Sequence, residues 1–354
     1  MNIQVLDEKN ILGTKFHMAQ QYIEYCSQLF DSPEITWSTA KGELLAVTNI
    51  DLQERLTIDW HDVNLIFAET CQQIYDYSFK LNPAKAYVFI TESAADFKDL
   101  QEKFFGISIV KHFTIFNEVI DYGKELFVMQ SHLATIEPAR HEPEFDFFCL
   151  VGRKSTLRSR FVSRLSQLDL SKSLVKYHGE VVPGSGAPFG YDQFDYASKN
   201  FYRDYYMVTS GMTLLSKIVQ PKLYDNFRFE VQYETDSLES HGWSIKEYHV
   251  TEKTIKPLIM NKPCLMYGPW QYHQWLASYG VDLGHGNFDY AQFDNIQDDA
   301  HRADAMIHYL KSFENYQAIV PDQSCFEKNI FGLYRLSCWT RENVRDFYSF
   351  LKNS

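Results

Sequence analysis

Short apolar runs rich in β-branched and aromatic residues recur along this chain, and stretches with helical spacing separate them. "VNLIFAET" (63–70), "KAYVFITES" (85–93), "ISIVKHFTIF" (107–116), "FDFFCLVG" (145–152) and "FRFEVQYETD" (227–236) are of this kind. The first two read as buried strands, and the others as further strands of the same alternation. Strand-helix-strand alternation points to a parallel sheet, because parallel neighbours need a crossover between them. The expectation is an α/β fold.

The intervening segments carry helix signals. "FHMAQQYIEYCSQLF" brings Phe16, Tyr22, Ile23 and Cys26 near one helical face. "SAADFKDLQEKFFG" predicts a helix capped by Ser93 and stopped by Gly106. "QDDAHRADAMIHYLKSF" is helical, with acids in its first turn and Lys311 in its last. "TRENVRDFYSFLKN" predicts a final amphipathic helix capped by Thr340. "ATIEPARHEPEFD" (134–146), with two prolines and mixed charge, is the best linker, and the Gly-, Pro- and Tyr-rich 180–206 reads as irregular.

Charge divides the chain at the same place. Of the net −12 over 354 residues, about −11 falls in residues 1–144, leaving the remainder near neutral. That asymmetry favours two domains with different jobs and weighs against a protein that coats nucleic acid non-specifically. The N-terminus lacks the pattern of a signal peptide, no apolar run reaches membrane-spanning length, and six scattered cysteines lack CxxC spacing. These point to a cytoplasmic protein with reduced thiols and no zinc site.

Two stretches carry chemistry. In "EYHVTEKTIKPLIMNKPCLMYG" (247–268), taking Thr254 as N-cap puts Pro257 at the third helical position, where its missing N–H is harmless. Thr251, Glu252 and Lys253 then lie on a loop between strand and helix, where α/β folds bind ligands. A Glu there suits a ribose and a Lys suits a phosphate; a surface ion pair is the plainer alternative. In "FCLVGRKSTLRSRFVSRL", Arg153, Lys154 and Arg158 crowd a helix start. Cations there oppose the helix dipole unless an anion sits between them.

Taken together, "YHVTEKTIKPLIMNKPCLMYG", "FFCLVGRKSTLRSRFVSRL", "FEVQYETD" and "FDYAQFDNIQDDAHRADAMI" resemble the donor-binding domain of α-1,3-fucosyltransferases. They resemble more closely a group of glycosyltransferases common in tailed-phage and bacterial genomes. The resemblance spans roughly residues 145–315. It implies two Rossmann-like domains with a cleft between them, the GT-B architecture. The implied division is an acceptor-side domain over 1–140, a nucleotide-sugar domain over 145–325 and a helical segment over 326–354. By carry-over, Glu252 holds the donor ribose, and Lys253 and Arg158 hold the diphosphate. Arg153, Lys154, Thr251, Tyr248 and Glu234 complete the expected donor-binding set. The arginine-rich loop departs from the group's pattern at Gly152, Lys154, Ser155 and Leu157.

Inverting transfer needs a base, and Glu69 or Glu92, at the ends of predicted strands, is expected to serve, with Glu92 preferred. His61 and Asp62 are weaker choices. No metal cofactor is expected, although Glu234 and Asp236 form an acid-X-acid triplet that a cation site would also use. The acceptor is less constrained. A hydroxymethylated pyrimidine in phage DNA is marginally favoured over a cell-surface glycan, with Arg153, Lys154, Arg160, Arg164, Lys172 and Lys176 offered to a DNA backbone. The alternative class is a non-catalytic nucleotide- or glycan-binding module, or a phage structural component.

Overall fold

The computed structural model describes residues 2–6, 36–68, 70–114, 142–152, 154–186, 226–234, 246–313 and 315–353. In chain order the elements begin with β1 (Asn2–Val5), β2 (Thr36–Ser38), β3 (Leu44–Thr48), α1 (Asn49–Glu54) and β4 (Val63–Ala68). Next come α2 (Cys71–Asp76), β5 (Ala86–Thr91), β6 (Ser93–Ala95), α3 (Phe97–Lys103) and β7 (Ser108–Thr114). Then follow β8 (Phe145–Val151), α4 (Thr156–Leu165), β9 (Ser173–Tyr177), β10 (Glu180–Val181) and β11 (Phe227–Tyr233). The chain ends with β12 (Glu247–His249), α5 (Glu252–Ile259), β13 (Cys264–Tyr267), α6 (Tyr272–Ser278), α7 (Asp299–Lys311) and α8 (Gln323–Asn353). The expected helix over 16–30 lies outside the described residues. No helix among the described residues is long and apolar enough to cross a membrane.

The chain forms two compact units. One comprises 1–120, 240–249 and 337–354, and the other 121–239 and 250–336. The boundaries expected at 140, 145 and 325 follow the chain in order, whereas the first unit takes back two later segments. Pairing and packing explain why. β12 pairs antiparallel with β6, and the end of α8 buries itself on the first sheet.

That sheet has six strands in the order β2-β1-β3-β4-β5-β7, and every pair is parallel. Both faces are covered. Val344, Phe347, Tyr348 and Leu351 of α8, spaced for one helical face, pack on Ile3, Val5, Leu65, Phe67, Val88 and Ile90. On the opposite face Leu52, Cys71, Ile74, Leu100 and Phe104 cover Leu45, Ile66, Tyr87 and Phe89. The near-continuous apolar strands of the sequence are those that a sheet buried on both faces requires.

The second unit repeats the principle with the order β10-β9-β8-β11-β13. Parallel pairing joins β9 to β8, β8 to β11 and β11 to β13, while β10 returns as an antiparallel hairpin. Phe147, Cys149, Phe229, Val231, Leu265 and Tyr267 face α4 and α7 through Phe161, Leu165, Met306 and Leu310. Since β9 lies to one side of β8 and β11 to the other, the strand order reverses between β8 and β11. That makes the carboxyl ends of β8 and β11 the position where doubly wound sheets bind ligands.

Three expected helix starts move. Ser93 does not cap a helix; it lies in β6, held extended by β12. Asp96 caps α3 instead, accepting from the Lys98 and Asp99 amides at 2.8 and 3.2 Å. Thr340 is buried in the middle of α8, a single helix of 31 residues. Nothing in 323–353 breaks it: a Cβ on Gly332 would sit 2.6 Å from Val281, so glycine there allows close approach to the turn before β-branched Val281. The third shift, at α5, belongs to the site.

Candidate functional site

The first turn of α5 carries the Thr-Glu-Lys motif. Thr251, not Thr254, is its N-cap, with the Thr251 hydroxyl accepting from the Lys253 amide at 3.3 Å. Glu252 and Lys253 are therefore the first two helical residues rather than loop, and Pro257 lies in the helix interior. Its cost is contained because the helix ends immediately. Asn261, at φ 50°, closes it in the left-handed region, and the Asn261 and Lys262 amides donate to Leu258 and Pro257. This is a Schellman closure with asparagine in glycine's usual position.

Behind this turn lies Glu234, the residue following β11, its side chain inaccessible to solvent. Thr251 Oγ1 donates to one carboxylate oxygen at 2.5 Å, and Thr254 Oγ1 lies 2.5 Å from the other. Tyr272 Oη stands 2.7 Å from Thr254 Oγ1, and burial beside Glu234 drives the Tyr272 phenol well above its ordinary range. Lys253 Nζ lies 3.9 Å from Glu234 Oε1 with its side chain partly exposed. Glu234, expected in the donor-binding set, is thus a buried side chain bonded by both threonines. Each of its oxygens accepts one hydroxyl hydrogen bond, and Asp236, the other acid of the triplet, lies outside the described residues.

The other side of β11 brings in Arg158. Its guanidinium lies 5.4 Å from the centre of the Tyr233 ring, and that ring stacks on Tyr267 with centroids 4.6 Å apart. Arg158 is buried on α4, whose N-cap Ser155 accepts from the Arg158 amide. Arg158 and Lys253 therefore flank the carboxyl end of one strand, each from the first turn of a helix and each on a different face of the sheet. Lys154 is exposed in the loop before α4. The arrangement sets two cations and two helix starts around the strand reversal of a doubly wound sheet, a place suited to an anion.

Other expected residues lie elsewhere. Tyr248 is buried in β12 of the first unit, paired with Ala94, with Lys246 Nζ 5.7 Å above its ring. Glu92 is half-buried between β5 and β6 of that unit. Glu69, Arg153 and Asp236 lie outside the described residues, as does the side chain of Glu252. Asp62 is bound to Lys85 at 2.7 Å, and that bond lowers its carboxyl. Of the cations offered to a DNA backbone, Lys176 is buried, and Arg160 and Arg164 both pair with Asp304, at 2.5 and 3.3 Å.

Arg302, the arginine of the distal helix, is a structural residue. Its Nε donates to Gly268 O at 3.1 Å, and Nη1 donates to Ile296 O and Gln297 O at 2.7 and 3.1 Å. Its Nη2 reaches the Tyr267 hydroxyl at 3.2 Å and the Asp299 carboxylate. All five guanidinium donors are used.

Two polar clusters carry no clear mark in the sequence. Asp294 accepts from the His273 and Gln274 amides at 3.3 Å, and burial raises its carboxyl to about 6. His273 donates Nε2–H to Met266 O at 2.8 Å; burial lowers it to about 3. In the first unit Glu247 is buried against α2, accepting from the Gln72 amide at 2.7 Å. Burial raises it to about 7, against hydrogen bonds from Ser93, Gln72 and Cys71 that pull it down. Near that cluster His112 Nε2 lies 2.8 Å from Thr91 Oγ1 and 3.6 Å from Cys71 Sγ. The alternation Glu230, Gln232, Glu234 along β11 was a readable sign of a polar strand face; a three-residue strand such as β12 leaves none.

Compared with family models, with curated proteins and with solved structures, the chain matches none.

Proposed function

We propose that the protein is a nucleotide-sugar-dependent glycosyltransferase that moves a sugar from a nucleoside-diphosphate donor to an acceptor hydroxyl, with inversion and without need of a metal. The observation that carries this reading is the pair Arg158 and Lys253, set in the first turns of α4 and α5 on either side of the end of β11. In the proposed reaction they neutralise the diphosphate as it leaves, which is where fixed charge contributes most to lowering a barrier. Lys154 extends the cationic rim; by the resemblance Arg153 joins it in holding the donor, Glu252 takes the ribose, and Glu92 or Glu69 takes the proton of the acceptor. The resemblance of the Thr-Glu-Lys and arginine-rich stretches to the fucosyltransferase-like group supports the same assignment and a GT-B-like organisation, and the scattered cysteines without CxxC spacing support a cytoplasmic setting.

The acceptor is a hydroxymethylated pyrimidine of DNA or a cell-surface glycan. With Arg160 and Arg164 engaged by Asp304 and Lys176 buried, fewer cations remain to follow a phosphate backbone than the sequence suggested. Activity that falls steeply with salt would identify DNA; salt-indifferent activity would identify the glycan.

The test is a thermal-shift comparison of the protein with UDP, GDP, ADP, CMP and their sugar conjugates, with and without Mn²⁺. Stabilisation by one of them without metal, lost in Lys253→Ala and Arg158→Ala, is the expected result. Stabilisation without any transfer or hydrolysis of the sugar would leave a binding module. No response to any nucleotide would end the donor-site reading.

A further inference from the structure

A lysine in the first turn of a helix is electrostatically misplaced, since the helix N-terminus is itself positive. Lys253 occupies the second position of α5, and a lysine side chain is long and flexible enough to carry its ammonium outward to water. What lies on the opposite side is the inaccessible carboxylate of Glu234, 3.9 Å from Nζ. We infer that Glu234 is a positioning residue, holding the Lys253 ammonium over the first turn of α5 where the donor's diphosphate binds. This inference rests on the donor-site reading above.

The hydrogen-bond directions make the case. Lys253 has no side-chain acceptor, so both its amide, at 3.3 Å, and its ammonium, at 3.4 Å, donate to Thr251 Oγ1. The single Thr251 hydroxyl proton must then go to Glu234, at 2.5 Å. Thr254 gives its proton to the other carboxylate oxygen, at 2.5 Å, and Tyr272 donates in turn to Thr254 at 2.7 Å. Every proton in the network runs toward Glu234. An ionised carboxylate, which only accepts, closes it; an amide would present donors to one of the two hydroxyls. Two threonine hydroxyls thus clamp the carboxylate, and the clamped charge fixes the lysine.

A positioning role and simple charge repulsion predict opposite signs. Glu234→Gln loses the hold on Lys253 but also removes a negative charge near a bound anion. The measurement is inorganic pyrophosphate binding by calorimetry to the native protein, Glu234→Gln, Lys253→Ala and the double variant, with melting temperatures alongside. Lys253→Ala should weaken binding at least about tenfold, the scale of one charge-assisted hydrogen bond. Glu234→Gln should weaken it about fivefold while Lys253 is present, and should leave it equal or tighter once Lys253 is alanine. That reversal is what a merely structural carboxylate does not produce. Unchanged or tighter binding in Glu234→Gln alone overturns the inference. Unchanged binding in Lys253→Ala overturns the donor-site reading beneath it. If Glu234→Gln fails to fold, Thr254→Val keeps the charge and the Thr251 side of the clamp, and its affinity should stay within about twofold of native. A Thr254→Val loss as large as that of Lys253→Ala would show that helix packing, not the carboxylate, sets the site.

Discussion

Glu247 shows how much one buried carboxylate governs. Its folded-state value near 7 stands above the ordinary 4.5, and burial is the cause. Between those values the folded chain holds a proton that the unfolded chain has released. Its contribution to stability is therefore present below about pH 4.5 and is lost as pH rises toward 7. A shift of this size corresponds to about 3 kcal/mol. His112 and His273, held near 4 and 3 by burial, act in the opposite sense, losing stability as pH falls from 6.5 toward those values. Asp294 follows Glu247, over a lower window ending near 6. Subtracting the stability curve of Glu247→Gln from that of the native protein isolates the one group. Urea melts from pH 4 to 8 should give a difference that moves by about 3 kcal/mol in favour of the variant as pH rises through this window. A flat difference would mean that the carboxylate is not buried as described.

Among the elements, the strands were legible and the caps were not. Five runs became β4, β5, β7, β8 and β11: β4, β5 and β8 are mostly apolar because both faces are buried, whereas the edge strand β7 and the polar-faced β11 mix apolar with polar residues. Caps depend on which of several nearby hydroxyls or carboxylates turns inward, and spacing alone does not decide it. Thr251 and Thr254 both suit an N-cap; Glu234, at the end of β11, bonds both and leaves Thr251 to cap. Likewise Ser93 was drawn into β6 by a partner strand remote in sequence, where it pairs with His249. The donor-side residues were partly legible. Arg158 and Lys253 lie beside the neighbouring residues Tyr233 and Glu234, Glu234 is buried behind Thr251 and Thr254, and Tyr248 is buried in β12. At the loop between β13 and α6, a Cβ on Gly268 would sit 2.5 to 2.9 Å from three atoms of Tyr272. Gly268→Ala should cost about 1–3 kcal/mol by displacing that ring. Because Tyr272 reaches Glu234 through Thr254, whose replacement by valine should hold affinity within about twofold, the melting temperature should fall while pyrophosphate affinity is kept. A variant as stable as the native protein would show that the ring yields readily.

At the scale of the molecule, the first unit depends on segments remote in sequence. Val344, Phe347, Tyr348 and Leu351 close one face of the first unit's sheet, each buried apolar side chain contributing about 1.5–3 kcal/mol. Together they match the whole stability margin of an ordinary domain. A chain ending at residue 336 should therefore lose the first unit's cooperative unfolding transition and bind a hydrophobic dye, while the second unit's β8–β11 sheet keeps its own. Retention of two transitions on calorimetry would contradict this. The electrostatic division is weaker by unit than along the chain, because residues 121–144 belong to the second unit: the first unit carries a net −7 and the second −5.

The chain's return to its first unit also sets an order of events during synthesis. Residues 1–120 leave the ribosome long before 240–249 and 337–354, yet they need both segments to complete their packing. One face of the parallel sheet must wait, exposed, until the last helix has been made. Contacts of such sequence separation form slowly, and waiting apolar surface is what chaperones bind. The second unit has most of its parts in one nearly continuous stretch, so it can close first although it is made later. Folding would then run from the middle of the chain outward, with the last helix acting as the latch.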